Sequence, residues 1–464
     1  MRLLYRRCAG LDIHKKSISV CIRTRVRGKP DVQMEEAVFG TFTQDLERMA
    51  DWLKQHKVRQ IAMESTGVYW IPVWNILERP KFGFQLILVN PAIVRALQGR
   101  KTDRIDARRI AEYLQYGLLR GSFIPPRPVR QLRELTRMRV HIQQDRNRVI
   151  NRIGRLLETA NIKLGSVASN IVGKSGRTML NLLAGGHSNP EHMADKALGQ
   201  LRKKVPDLIL ALDGRTDAHF RWVLSRLLHK LDTLDVELAD VENRLTSEMA
   251  GQGELLQRLC TIPGIQMTTA QILVAELGTD MSQFPTAAHV ASWAGLCPGN
   301  AESAGKRFSG KTRKGDRYLR HTLVQSAWAA VRTKNCFFAT FFHRIAQRRG
   351  MKRAAVAVAH RLLQIVYCII RDGGCYRERG GDYFDQLHPE RTARKLTKRL
   401  EGIGYTVSLS RRSADELLAR PIVSAAECSK CNAWKLPQCI HLIRRPGLRK
   451  HAALSARDPA ISTV

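Results

Sequence analysis

The stretch Cys8-Ala-Gly-Leu-Asp-Ile-His14 is followed, two lysines later, by Ser17-Ile-Ser-Val-Cys-Ile-Arg-Thr24. Apolar and β-branched residues alternate through both runs, so they read as two strands with a tight connection. A third strand is expected around Glu36 to Phe42, completing an antiparallel meander. A helix should follow, with Thr43 as N-cap and Phe42, Leu46, Met49 and Leu53 as its apolar stripe. Arg59 to Glu64 reads as a short buried strand, Tyr69 to Leu77 as a helix, and Phe84 to Asn90 as another buried strand. Helix is expected to dominate from Pro91 to Leu119.

Three strands, helix, strand, helix, strand, helix is the order of an RNase H-like domain, a mixed sheet covered by helices. The overall class is therefore α/β plus α, because the rest of the chain reads as mainly helical. Arg120 to Pro128 holds Pro125, Pro126 and Pro128 and reads as a boundary. Residues 129–165 are helical and very basic, with Arg130, Arg133, Arg137, Arg139, Arg146, Arg148, Arg152 and Arg155. Leu224, Leu227, Leu231, Leu234, Leu238, Val241 and Leu245 form an a/d heptad seam. That seam serves either an intramolecular hairpin with the 129–165 helix or a coiled-coil dimer. Cys260-Thr-Ile-Pro-Gly-Ile265 is a tight turn between helical stretches, a helix-hairpin-helix-like unit that could hold a DNA phosphate on backbone N–H groups. Residues 321–372 read as helix, 390–408 as a basic helix and short strand, and the remainder carries no pattern.

Of 464 residues, 77 are Lys or Arg against 41 Asp or Glu, a formal charge of +36. Such an excess repels itself unless a polyanion neutralises it, so nucleic acid is the expected partner. The mean hydropathy is -0.26, and the sequence reading finds no bilayer-length apolar run and no signal peptide, which makes the cytoplasm the expected location. The ten cysteines should be mostly reduced thiols. Cys428, Cys431, Cys439 and His441 could supply zinc ligands, although the spacing after the first pair is too short for the usual ribbon or finger.

Two groups of residues have chemical potential. Asp12 interrupts the first strand, Glu64 ends a buried strand, and Asp103 and Asp106 stand three apart on a helix. Hard carboxylate oxygens suit Mg²⁺, and a metal-bound acidic cluster suits phosphodiester chemistry. The ordinary alternatives are a turn residue for Asp12, a surface acid for Glu64, and helix-surface pairing with Arg104, Arg108 or Arg109 for the two helical aspartates. The second group is the Gly-rich stretch from Gly295 to Arg320. There Lys306, Arg307, Lys311, Arg313, Lys314, Arg317 and Arg320 could clamp DNA phosphates, and a serine could act as nucleophile. By composition alone, a DNA-binding loop with no covalent role is the simpler account.

The chain resembles the RNA-guided transposases of the insertion-sequence "one-ten" family. The matching segments are Gly10-Leu-Asp-Ile-His-Lys-Lys16, Met63-Glu-Ser-Thr-Gly-Val-Tyr-Trp70, Val89-Asn-Pro91, Lys101-Thr-Asp-Arg-Ile-Asp-Ala107, Ile262-Pro-Gly-Ile265, Trp293-Ala-Gly-Leu-Cys-Pro298 and Lys314-Gly-Asp-Arg-Tyr-Leu-Arg320. The resemblance implies a RuvC-like DEDD domain over 1–125, a basic helical and coiled-coil linker over 126–252 and a serine transposase domain over 253–410. It leaves 411–464 unassigned. It further implies that Asp12, Glu64, Asp103 and Asp106 bind Mg²⁺, and that a serine forms a covalent link to DNA. Ser303 is the first choice for that serine and Ser309 the second. A noncoding guide RNA, and a homo-oligomer in which the acidic quartet of one subunit meets the serine of another, are also implied. The competing readings are a Holliday-junction nuclease using the acids alone and a nonenzymatic nucleic-acid-binding protein.

Overall fold

A computed structural model describes residues 3–26, 31–65, 67–90, 103–119, 121–299, 301–303, 306–309, 312 and 315–410. The chain forms two compact units, Met1–Pro126 and Arg127–Val464. The first unit is built on strands β1 (Arg7–Ile13), β2 (Ile18–Arg25), β3 (Val32–Phe39), β4 (Gln60–Glu64) and β5 (Gln85–Val89). They lie in the order β3-β2-β1-β4-β5. The β1–β2 and β2–β3 pairs are antiparallel, and β1–β4 and β4–β5 are parallel. Helices α1 (Thr43–Gln55), α2 (Trp70–Leu77) and α3 (Asp103–Gln115) complete the unit.

The element order agrees with the sequence reading, with local corrections. Strand β3 starts earlier than Glu36, because its ladder with β2 runs from Arg25 opposite Val32 to Ile18 opposite Phe39. Helix α1 begins at Thr43 itself, and Phe42 occupies the N-cap without a side-chain hydrogen bond. Phe42 is 82% exposed, so it leaves the apolar stripe, which is made by Leu46, Met49, Ala50 and Leu53. Of the helix expected from Pro91, residues 91–102 lie outside the described residues, and α3 covers the part from Asp103.

Strand β1 is central, and its side chains alternate between two buried faces. Ala9, Leu11 and Ile13 join Ile18, Val20, Ile61 and Met63 with α1 and α2 residues in one core. On the opposite face, Cys8 packs with Ala62, Val89, Ile110 and Leu114 beneath α3. Gly10 lies on this second face. A methyl group there would come within 2.4 Å of the Ala107 carbonyl oxygen and the Ala111 nitrogen, so helix backbone rests directly on strand backbone. The contact continues toward the start of the strand: the Cys8 thiol donates to the Ala111 carbonyl at 3.3 Å, and the Leu4 and Tyr5 N–H groups donate to the Gln115 carbonyl at 3.0 and 3.2 Å. Strand and helix are therefore antiparallel. Two strand residues advance about 6.6 Å, close to the ~6 Å of four helix residues, so the match holds along the contact.

In the second unit, α4 (Arg127–Thr159) pairs with α6 (Ala218–Glu248), while α5 (Lys174–Ala184) packs beside α6. Leu224, Leu228, Leu231, Leu234, Val241 and Leu245 of α6 are buried, as are Ile142, Val149, Ile153 and Leu157 of α4. Of the two readings of the heptad seam, this is the intramolecular hairpin. Leu227 is only half-buried and Leu228 takes its place, because a straight helix drifts away from a strict seven-residue repeat. Helices α7 (Gly253–Cys260) and α8 (Met267–Leu277) flank the predicted glycine turn. Gly264 has φ +82°, and a methyl there would lie 2.4 Å from the Ser326 carbonyl oxygen. Close packing on another helix therefore accounts for this glycine, and the phosphate-holding role is not required to explain it.

Helices α9 (Ala287–Trp293), α10 (Arg317–Val331), α11 (Phe337–Arg349) and α12 (Met351–Asp372) follow, then α13 (Pro389–Glu401). Helix α12 corrects the expectation that no apolar run is long enough to cross a bilayer, since by length and composition it is. Its buried Ala354, Val358, Leu362 and Val366 pack against α10 and α11, which makes it a core helix of this unit. Residues 405–410 form no strand, in contrast to the short strand expected by 408. The zinc-ligand residues from Cys428 onward lie outside the described residues.

Replacing Gly10 with Ala should force α3 off β1. The expected loss is about 1–3 kcal/mol, the usual cost of overpacking a full core, read as a lower urea midpoint for the unfolding of the first unit.

Candidate active site

The alternation of β1 and β4 decides where the acids stand. Asp12 is two residues beyond Gly10 and shares its face; Glu64 is two beyond Ala62 and shares that same face. Because β1 and α3 run antiparallel, with Gly10 against Ala107, Asp12 is opposite the first turn of α3, which begins at Asp103. Asp12 is 6% exposed. Burial pushes its carboxyl above the ordinary value of 3.8. His14 opposes that rise, while the negative charges of Asp106 and Glu64 add to it. Asp106 and Glu64 thus act on Asp12 through space, Glu64 from the same sheet face and Asp106 from the helix that covers it.

The surroundings of each acid differ. His14 Nε2, just past the end of β1, lies 3.1 Å from Asp12 Oδ2. The sequence reading missed His14, although its spacing from Asp12 was the signal. Asp106 approaches Arg109 at 4.0 Å, so the helix-surface pairing considered for it is partly realised. Arg108 is drawn away to Glu36 of β3 (Nη2 to Oε2, 2.8 Å). The side chain of Asp103 lies outside the described residues. Among the described residues no three His, Cys, Asp or Glu side chains are grouped closely enough to hold a metal ion. The donor set nonetheless suits a hard cation: a buried carboxylate repelled by two others is relieved by a divalent ion.

The second group stands on a closed loop of the other unit. Strands β6 (Ala301–Ser303) and β7 (Lys306–Ser309) pair antiparallel, a hairpin where the sequence reading expected only a basic loop. Ser303 pairs with Lys306 next to the turn, and Ser309 pairs with Ala301 at the base. Strands this short leave too little alternation to be read in sequence. Pro298 and Thr312 form a further bridge below them. A methyl at Gly315 would lie 2.3 Å from the Gly295 nitrogen, so the two ends of the loop meet backbone to backbone. The side chains of Ser303, Lys306, Arg307 and Ser309, and residues Lys311, Arg313 and Lys314, lie outside the described residues. Arg317 is exposed and Arg320 half-buried on α10.

What fixes the loop was not visible in the sequence. Asp316 caps α10, accepting from Leu319 N at 2.8 Å. Arg137 of α4 reaches Asp316 at 3.3 Å and donates twice to Glu276 of α8, at 2.9 Å each. Arg133 also reaches Glu276 at 3.2 Å, and Arg139 donates to the Thr268 carbonyl at 3.0 Å. Glu276 is 0% exposed; burial pushes its carboxyl up, and the Arg137 guanidinium opposes that rise. Part of the charge of the basic helix is thus spent inside the protein.

Family models match two parts of the chain. A DEDD-type "Transposase" model covers residues 9–162, and the "Transposase IS116/IS110/IS902 family" model covers 256–342, together just over half of the chain. A "Probable family 20 transposase" of Pseudomonas aeruginosa is 24% identical over 339 residues, 71% of this chain and 89% of that protein. The "Transposase for insertion sequence element IS1111A" of Coxiella burnetii is 26% identical over 302 residues, 64% of this chain and 74% of that protein. A "Pilin gene-inverting protein" of Moraxella bovis is 32% identical over 124 residues, 26% of this chain and 38% of that protein. Among solved structures, Thermus thermophilus RuvC matches at 15% identity, with 25% of this chain, 99% of that chain and a TM-score of 0.20. At that score the fold assignment rests on the observed strand order alone.

Asp12→Asn should stabilise the fold while removing activity. A carboxyl whose pKa is higher in the folded than in the unfolded state costs stability as pH rises through that interval. The urea midpoint of the variant should coincide with that of the parent at the acid end and pull ahead as pH climbs above the ordinary 3.8. Glu276→Ala should strand two arginines and cost about 3–5 kcal/mol, the range for breaking a buried ion pair, measured as a fall in the melting midpoint of the second unit.

Proposed function

We propose that this chain, which belongs to the IS110-type transposase family, cuts and rejoins DNA with both groups of residues described above. Transposases are DNA-cleaving and DNA-joining enzymes, so the chain is an enzyme of phosphoryl transfer. The observation that carries the mechanism is the shared face of Asp12, Glu64 and the first turn of α3. In this reading the first unit is RNase H-like, and Asp12, Glu64, Asp103 and Asp106 hold Mg²⁺. The bound ion would supply charge neutralisation at the scissile phosphate.

The chain's own groups do the rest. His14 keeps the Asp12 carboxylate oriented along the sheet face. Ser303 gives up its hydroxyl proton and bonds through Oγ to phosphorus, while a deoxyribose oxygen leaves and is protonated. A DNA hydroxyl then attacks the phosphoserine, loses its proton, and returns the serine. Basic side chains of the 306–320 stretch hold the phosphates on either side. The seam of Arg137, Glu276 and Asp316 fixes the loop, so its geometry is set before substrate arrives. The same proposal includes a noncoding guide RNA and a homo-oligomer, and the family resemblance alone supports them; the charge of +36 supports a nucleic-acid partner in general.

A strand-cleavage and joining assay on element-end DNA with Mg²⁺ tests this reading. Asp12→Asn and Asp106→Asn should abolish cleavage. Ser303→Ala should abolish the protein–DNA adduct that survives denaturation, whereas Ser309→Ala should retain it. An adduct that persists in Ser303→Ala and vanishes in Ser309→Ala would move the nucleophile to Ser309. Full cleavage by Asp12→Asn would end the acidic-site mechanism.

A further inference from the structure

Beside the second group, and sharing Arg317 and Arg320 with it, α10 and α12 line a cleft of about 410 Å³. Its lining has two parts. Val324, Trp328, Ala355 and Val356 make an apolar floor, and Arg317, Arg320, His321 and Lys352 supply cations, with no acidic side chain in the lining. The residues recur at helical spacing: 317, 320, 321, 324 and 328 on α10, and 352, 355 and 356 on α12. Both helices thus turn one stripe toward the same space.

Trp328 decides what the cleft can take. It is 36% exposed, while Phe342 meets its ring edge-on at 5.4 Å between centroids. The indole is therefore held in place on one side and open on another. An indole that served only the core would be covered. Ala355 is 2% exposed and has the smallest side chain of the floor, which leaves room for a flat group over the apolar surface. A flat aromatic group attached to a negative charge fits these surroundings: the ring stacks, and guanidinium and ammonium groups hold the charge. The volume lies within the roughly 300–1,000 Å³ of small-ligand sites. The cleft also begins where the closed basic loop ends, since Arg317 is two residues past Gly315. A strand leaving that loop would enter it directly.

We infer that this cleft receives an unstacked nucleotide of a single-stranded nucleic acid, with its base on Trp328 and its phosphate among Arg317, Arg320 and Lys352. Duplex cannot enter, because a paired base has no free face to offer the indole. The inference rests on the reading of the chain as a nucleic-acid enzyme but not on its catalytic residues. It concerns binding alone, so it can fail while the cleavage mechanism stands, and the reverse also holds.

The test uses the full-length chain and fluorescence anisotropy at fixed salt. The probes are labelled oligo-dT, oligo-U of equal length, and a blunt duplex. Trp328→Ala should weaken binding of the single strands by about tenfold, in line with one lost base–aromatic stack, and leave duplex binding within about twofold. Trp328→Phe, which keeps a ring against Phe342, should restore most of the affinity. The paired change of the half-buried Arg320→Glu with the exposed Lys352→Glu should lower single-strand affinity and flatten its dependence on salt, which covers the case in which Trp328→Ala unfolds. Losses confined to oligo-dT assign the cleft to a DNA strand, and losses confined to oligo-U assign it to RNA. Equal losses assign it to either sugar. Unchanged single-strand binding in Trp328→Ala, or equal losses for duplex and single strand, would overturn the inference.

Discussion

The backbone contact between Gly10 and the Ala107–Ala111 turn is the constraint on which the first unit depends. It removes one side chain from the middle of a central strand and lets a helix lie on the sheet at the shortest possible distance. Everything acidic follows from it. The antiparallel run of helix over strand sets Asp12 opposite the first turn of α3, and strand alternation brings Glu64 to the same face. A single methyl group would separate the layers and with them the acids, without changing any of the acidic residues.

The cost of that arrangement is electrostatic. Asp12 is buried beside like charges, in a protein whose formal charge is +36. An acidic pocket in such a basic molecule is stable only if something cationic offsets it, and within the described side chains His14 takes part of that role. The opposite solution appears in the second unit. There a fully buried Glu276 is met by Arg133 and Arg137, and the pair ties α4, α8 and the cap of α10 together. In the first unit the buried Asp12 lies near the negative charges of Asp106 and Glu64; in the second, the buried Glu276 meets two guanidinium groups.

Rigidity matters because the serine-bearing hairpin is short. Two strands of three and four residues have little stability of their own. The loop gains its shape from its base, where Gly295 meets Gly315 and Asp316 is held from α4. Beyond Asp316, Arg317 and Arg320 of α10 line the cleft whose floor includes Trp328.

The sequence by itself determined the strand and helix order of the first unit, the excess of positive charge and the heptad seam. Those are local matters: alternation, spacing and composition carry them within a few residues. It left the seam open between a hairpin and a dimer, set the start of β3 too late, and made Phe42 a core residue. Only tertiary structure decided these points, because each depends on a partner distant in the chain: the register with β2, the pairing with α4, and the surface left uncovered at α1. The same holds for Arg137, one of many arginines on a basic helix in the sequence until Glu276, 139 residues away, is placed beside it. Spacing can state which residues share a face, but only packing brings two faces together.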